Sequence, residues 1–337
     1  MIDILVAGGG PAGLVAAIRA AADGREAVVV EPRTAPVDKA CGEGIMPGGV
    51  AALRALGVMV PGSALRGIRY IDGARRAEAS FRGAPGLGVR RTALHEALYR
   101  RALELGVRIV AGRVGEVRQG LDSVGAAGLT ARWLIAADGL HSPVRRTLGL
   151  DRPASAPHRY GLRRHYRVAP WTDFVEVHWS RRCEAYVTSV GERLVGVAVL
   201  SGERRSHAEH LSAFPALADA LRYAEEGPVR GAGPLRQSAR SPRAGRVLLV
   251  GDAAGYVDAL TGEGIALAAA TASAAVDCLT AGRPEAYPAH WRRLTRRHRL
   301  LTQGLLSAAR HPFAARLIVP AAHRLPAVFE AAVHALR

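Results

Sequence analysis

Apolar and polar positions along this chain follow two different rhythms. The opening run Ile-Asp-Ile-Leu-Val-Ala is apolar almost throughout, as a parallel strand buried on both faces requires. A glycine-rich turn follows it, then Leu-Val-Ala-Ala-Ile-Arg-Ala-Ala-Ala with helical character, then a second apolar run that ends in Glu31. Similar apolar runs return at 131–137 and 244–250, closing in Ala-Asp-Gly and Gly-Asp. Between them the pattern changes to alternation. The segments His-Arg-Tyr-Gly-Leu-Arg-Arg-His-Tyr-Arg-Val, Phe-Val-Glu-Val-His-Trp, Glu-Ala-Tyr-Val-Thr-Ser-Val-Gly and Leu-Val-Gly-Val-Ala-Val-Leu read as strands of an antiparallel sheet. On the first of these, Leu162, Arg164 and Tyr166 share one face, and Arg163, His165 and Arg167 share the other. Beyond about residue 283 the pattern becomes that of arginine-rich helices, whose apolar stripes are expected to pack on the FAD domain or on a second subunit in preference to touching a membrane surface. No fixed period runs through the sequence, so it is not a repeat protein.

The first turn carries chemistry. Gly8, Gly10 and Gly13 match G-x-G-x-x-G between a strand and a helix, with Pro11 and Ala12 opening that helix. The first glycine permits the turn, the second lets the backbone approach a pyrophosphate, and the third allows close helix–strand packing. Amides at the helix N-terminus then face the phosphates along the helix dipole. Glu31 stands where a carboxylate suits ribose hydroxyls, with Pro32 and Arg33 following. The spacing predicts a bound dinucleotide.

Composition changes this picture little. Across 337 residues, 49% hydrophobic and 22% charged is an ordinary globular balance. The net charge of +17 invites nucleic acid, but the arginines are scattered with few aromatics between them, so no nucleic-acid partner is expected. The charge suits an anionic cofactor as well. Lys39 is the sole lysine, which suggests that a compact ammonium or a flexible stem is wanted there. Cys41, Cys183 and Cys278 are odd in number and have no metal-ligand spacing, so no metal is expected and a reduced, cytoplasmic protein is. No basic leader opens the chain and no window offers a membrane span, so no integral membrane association is expected.

Two further segments separate FAD from NAD. Ala-Arg-Trp-Leu-Ile-Ala-Ala-Asp-Gly (131–139) and Gly-Arg-Val-Leu-Leu-Val-Gly-Asp (245–252) are each a strand followed by a loop and a helix. With the glycine turn and the segment Val-Arg-Arg-Thr-Ala-Leu, they resemble the FAD-dependent oxidoreductase superfamily of para-hydroxybenzoate hydroxylase and geranylgeranyl reductase. The resemblance implies an α/β fold: a Rossmann-like FAD-binding domain of the glutathione-reductase type, with an inserted antiparallel β-sheet substrate domain and C-terminal helices. The FAD-binding domain would be discontinuous, over 1–62, 88–152 and 241–283. The substrate domain would take 63–87 and 153–240, and the terminal helices 284–337. Asp252, after Gly251, would hold the ribityl chain. Asp138 and Gly139 would serve cofactor binding and closure of the fold. Arg91 would approach the flavin side, and Val114 would lie on the strand against the adenine.

Gly-Glu-Gly-Ile occurs twice, at 42–45 and 262–265. In this fold both loops would approach the isoalloxazine ring, each placing a helix N-terminus beside it. Gly42, Gly262, Glu263, Gly264 and Ile265 therefore join the cofactor set, with Lys39 and Cys41. Cys41 is a pocket wall, a redox-active thiol or a proton donor; its place near a helix N-terminus and Lys39 would favour the thiolate, but a small buried residue is the preferred reading. Tyr166, Trp179 and Tyr186 are substrate-wall candidates. His165, His178 and Glu43 are possible general bases, with none preferred.

The branch is less clear-cut. Gly255 and Thr261 stand where aromatic hydroxylases of the superfamily usually carry histidine and proline, and Cys-Gly-Glu-Gly looks like the geranylgeranyl reductases. Yet Glu-Ala-Tyr-Val-Thr-Ser replaces the reductases' aromatic tunnel element. The expected function is an FAD-dependent monooxygenase hydroxylating a small aromatic or polyketide-like metabolite, free or carrier-bound, through a flavin C4a-hydroperoxide, as in secondary metabolism. NADH or NADPH would supply electrons and O2 the oxygen atom. The alternatives are a flavin reductase of an isoprenoid double bond and a non-catalytic flavin-bound redox sensor.

Overall fold

The computed structural model describes residues 1–153 and 158–335. Residues 154–157, assigned above to the substrate domain, and 336–337 of the terminal helices lie outside the described residues. Two large sheets organise the rest. In the first, strands Val247–Leu249, Leu129–Ala136, Ile2–Ala7, Ala27–Glu31 and Arg108–Ala111 run parallel in that order. The residues of Val247–Leu249, Ile2–Ala7 and Ala27–Glu31 are almost all buried because helices cover the sheet, which is why these strands read as apolar runs, whereas the edge strand Arg108–Ala111 is not buried. Helix Pro11–Ala22 packs between helices Gly264–Thr280 and Arg91–Glu104. Short side chains along Gly264–Thr280 (Ala268, Ala269, Ala272, Ala275) allow that close approach.

The second sheet is mainly antiparallel. Tyr160–Arg167, Leu194–Ser201, Cys183–Gly191 and Phe174–Trp179 are neighbours in that order, and Gly67–Asp72 then joins in parallel, followed by Arg75–Ser80. Segments 67–80 and 160–201 thus share one sheet although they are far apart in sequence. One face of this sheet carries an apolar cluster of Val175, Val177, Tyr186, Ala198 and Leu200, which continues into Met46, Leu140, Leu235 and Leu260. The other face packs on helices His207–Leu211 and Pro215–Ala220 through Tyr166, Val187, Val197, Phe214 and Leu217. The terminal helices Tyr287–Arg310, Ile318–Arg324 and Pro326–His334 reach back over the molecule. Tyr287 and Trp291 enter the core of the first sheet, while Leu306, Val319, Phe329 and Val333 enter the apolar face of the second.

Candidate flavin site

A cavity of about 470 Å³ runs from the glycine turn to the apolar face of the second sheet. Its first end is built by backbone. Gly8 has φ +101°, and a Cβ there would lie 2.6 Å from the Ala137 carbonyl oxygen. A Cβ on Gly13 would meet the Gly8 oxygen at 1.9 Å, so the helix touches the strand only through glycine. At Gly10 a Cβ would meet no protein atom, so packing gives no reason for glycine. A phosphate group approaching the backbone does.

Glu31 ends its strand buried, accepting the Gly9 N–H at 2.7 Å and the Arg33 Nε–H at 2.7 Å. Burial raises its pKa, but the bonds from Arg33 and Gly9 outweigh that and hold the carboxyl below its ordinary value. His95 reaches the same turn from helix Arg91–Glu104. Its Nε2 lies 2.9 Å from the Gly9 carbonyl oxygen, which fixes Nε2 as the protonated nitrogen. Burial pushes its pKa down, so the ring stays neutral.

The middle of the cavity holds buried polar groups with unused capacity. Arg91 opens its helix on the cavity, and its Nη1 has no partner. Burial lowers its pKa. Asp138 accepts the Val144 N–H at 3.0 Å with one oxygen, while Oδ1 is buried and unbonded. Burial raises its pKa. A buried cation lacking an anion and a buried acceptor lacking a donor are costly unless matched. The phosphates and hydroxyls of a dinucleotide supply both complements, so the residues present fit FAD.

Arg145 was not foreseen from the sequence. It is 1% exposed and donates to the carbonyls of Leu140 (3.1 Å) and Ala253 (3.0 Å), to Gln237 Oε1 (3.1 Å) and to Asp151. It thereby ties the loop after Asp138 to the loop after Asp252.

The two Gly-Glu-Gly-Ile loops frame the rest. The second opens helix Gly264–Thr280, as expected. The first does not open a helix directly: Glu43 is left-handed at φ +61°, Gly44–Ile45 is a short strand, and the helix begins at Pro47. That backbone state is sparsely populated for glutamate and is held by its partners. Glu43 accepts the Arg91 backbone N–H at 2.9 Å and His165 Nε2–H at 2.6 Å. Arg163 donates to His165 Nδ1 at 3.1 Å and to Asp38. His165 is therefore an acceptor at Nδ1 and a donor at Nε2, the neutral tautomer. Thr188 Oγ1 donates to the Gly42 carbonyl at 2.9 Å, pinning the same loop to the sheet.

The expected cofactor residues divide as follows. Gly8, Gly10, Pro11, Ala12, Glu31, Pro32, Arg33, Lys39, Cys41, Gly42, Arg91, Val114, Asp138, Gly139, Asp252, Gly262, Gly264 and Ile265 line the cavity. Val114 does so from the loop beyond strand Arg108–Ala111 and not from a strand. Gly13 and Gly251 lie behind the lining, in helix and turn packing. Glu263 turns away from the cavity, 2.8 Å from His298 Nδ1 on helix Tyr287–Arg310. At Cys41 burial pushes the thiol up, outweighing Arg91, which runs against the thiolate and with the reading of a small buried residue.

Of the three aromatic wall candidates, Tyr186 lines the cavity, with its hydroxyl donated to the Leu260 carbonyl at 3.0 Å. Tyr166 does not, because strand alternation sends it to the opposite face beside His207. Trp179 packs edge-on to Tyr70, outside the lining. His178 pairs with Glu176 at 3.2 Å and lies edge-on to Phe214, also away from the cavity.

Comparison with known proteins matches this arrangement. An FAD binding domain family model covers residues 110–282, and a second FAD binding domain model covers 3–46. The chain is 31% identical to the menaquinone reductase of Mycolicibacterium smegmatis, over 88% of this chain and 80% of that one. It is 32% identical to the 12-dehydrotetracycline 5-monooxygenase/anhydrotetracycline 6-monooxygenase of Streptomyces rimosus, over 48% of this chain and 35% of that one. In fold it is similar to p-nitrophenol 4-monooxygenase PnpA of Pseudomonas putida, with TM-score 0.80 at 19% identity, covering 100% of this chain and 99% of that one. A glycine turn shaped for pyrophosphate, unmatched buried groups along one cavity and kinship over most of the length converge: the chain belongs to the FAD-dependent oxidoreductase superfamily.

Proposed function

We propose that the protein is an NAD(P)H-dependent monooxygenase that hydroxylates a compact, apolar aromatic or polyketide-like ring. The observation that carries this reading is the lining at the sheet end. Val175, Tyr186, Ala198, Leu200 and Leu235 are apolar or use their polar atom elsewhere, and Arg163 and Thr188 beside them bond to Asp38, His165 and the Gly42 carbonyl. One cavity of about 470 Å³ must house both FAD and substrate.

In this reading the Gly8–Gly13 turn and the first amides of helix Pro11–Ala22 bind the pyrophosphate. Glu31 receives ribose hydroxyls. Arg91, Asp138 and Asp252 hold the central part of the cofactor. The loops at 42–45 and 262–265 lie on either side of its ring system. When bound, FAD supplies hydride acceptance from a nicotinamide and activation of O2. The chain's own contribution is orientation and exclusion of water by the apolar wall. Glu43 and His165 are committed to each other, so neither of them stands as a free base at the substrate end, as an electron-rich ring permits.

The test is turnover of a panel of phenolic and polyketide-like rings with NADH or NADPH under isotopically labelled O2. One labelled oxygen atom in the product, with one nicotinamide consumed and water as by-product, is expected. Anaerobic gain of two hydrogens by the substrate would overturn it in favour of a second reading, double-bond reduction. Two observations favour that alternative: the menaquinone reductase relative covers most of the chain, and the protonated Cys41 thiol is a proton donor on the cavity wall.

A further inference from the structure

The terminal helices carry a surface that the flavin chemistry does not use. Between Ala286 and Phe329 the chain has eight arginines and no carboxylate. Within that stretch large apolar side chains point outward: Phe313 is 69% exposed, Leu317 44%, Leu325 55% and Val328 63%. These four fall within sixteen residues, interleaved with exposed Arg310, Arg316 and Arg324. Their inward neighbours are already satisfied. Val319, Phe329 and Val333 bury themselves in the cluster that includes the cavity walls Leu140, Val175, Tyr186, Leu200 and Leu235. His323 and His334 donate to the carbonyls of Arg76 (2.8 Å) and Ser80 (2.9 Å), fixing the helices against strand Arg75–Ser80. The exposed apolar residues are therefore a second face, left over after packing.

We infer that this face, residues 310–328, seats the protein on an anionic lipid surface. Exposed aliphatic and phenyl groups gain by entering the boundary between headgroups and acyl chains, while arginines meet lipid phosphates at the same depth. A second copy of the chain is a poor occupant, because a two-fold contact would bring arginine against arginine. Nucleic acid would match the arginines but not the outward Phe313, Leu317 and Val328. No helix among the described residues is long and apolar enough to cross a membrane, so the contact is peripheral. The helices that carry it pack, through Val319, Phe329 and Val333, on the apolar cluster whose other members line the cavity, so a lipid-dissolved substrate would meet the protein on the cavity's side of the second sheet. This face is separate from whichever reaction the flavin performs.

The test is co-sedimentation of the FAD-loaded protein with vesicles of phosphatidylglycerol and phosphatidylcholine, against vesicles of phosphatidylcholine alone. Binding to the anionic vesicles is expected, weakening with salt. The double variant Phe313→Ser/Leu317→Ser is expected to bind about tenfold more weakly. Arg316→Glu/Arg324→Glu, at positions that are fully outside the core, is expected to lose the preference for anionic lipid, with bound flavin absorbance unchanged in both. No binding of the native protein to anionic vesicles at low salt would overturn the inference. So would native-like binding by both variants, retention by duplex DNA without retention by vesicles, or a dimer that Phe313→Ser/Leu317→Ser converts to monomer.

Discussion

The two Gly-Glu-Gly-Ile loops have identical residues and different structures. At 42–45 the glutamate adopts a left-handed backbone and leads into a strand. At 262–265 it adopts φ −87° and precedes a helix directly. What they share is the fate of the side chain: Glu43 meets buried His165 at 2.6 Å, and Glu263 meets buried His298 at 2.8 Å. One loop is thereby anchored to the substrate-side sheet, the other to a terminal helix. Gly42, Gly44, Gly262 and Gly264 line the cavity, as does Glu43, while both glutamate carboxylates meet histidines, so the tetrapeptide is a way of hanging a small-residue loop from a buried acid–histidine pair. The pairs differ in reserve. His165 sits between Glu43 and a buried arginine, whereas His298 also has Thr261 Oγ1 at 3.2 Å and Thr302 Oγ1 at 3.4 Å.

This difference can be broken deliberately. Glu43→Ala is expected to have the largest effect, because it leaves Arg163, His165 and the Arg91 amide short of one acceptor in the interior. A loss of about 3 kcal/mol is expected by urea denaturation, with release of flavin on gel filtration. Glu263→Ala should cost less, about 1–2 kcal/mol, since two threonine hydroxyls remain beside His298. Equal losses in the two variants would show that the extra partners carry no weight. At the next level, Gly262→Ala puts a side chain at φ +70° and is expected to cost about 1 kcal/mol. Gly42→Ala, where a Cβ would meet no protein atom and φ is not positive, should leave stability within about 0.5 kcal/mol while weakening flavin retention. The smallest expected effect is on Cys41. With its pKa raised by burial, alkylation at neutral pH should be slower than for a free thiol and should still be accelerating above pH 9, followed by mass spectrometry.

Much of the cofactor half was legible because its signals are local. A strand, a glycine turn and a helix are consecutive in sequence, and Asp138 and Asp252 each end an apolar run, so their placement on the cavity needs no long-range information. The sheet-side wall was only partly legible. Alternation separated the two faces of 160–167 but gave no sign of which one faced the cavity, and so Tyr166 was included as a wall candidate. Arg145 and Arg163 were invisible for another reason. Both are 1% exposed, yet in a chain where almost every basic residue is arginine a buried guanidinium looks like a solvated one. What distinguishes them is the set of partners, Ala253 at 108 residues' separation and Asp38 at 125. The protonation state of Cys41 was not legible, because sequence proximity to Lys39 says nothing about how deeply the sulfur is buried.

The Arg145 clasp has a consequence for how such a molecule can change. Its guanidinium joins the loop at 140 to the loop at 253, the points between which the chain leaves and re-enters the cofactor half. Everything between them, including most of the substrate-side sheet, is strung from two ends that one side chain keeps together. Lengthening, shortening or rewriting that insertion alters what the cavity accepts without moving the groups that grip the dinucleotide. A clasp at the neck of an insertion is thus a device for variation: it lets one cofactor platform carry many substrate walls.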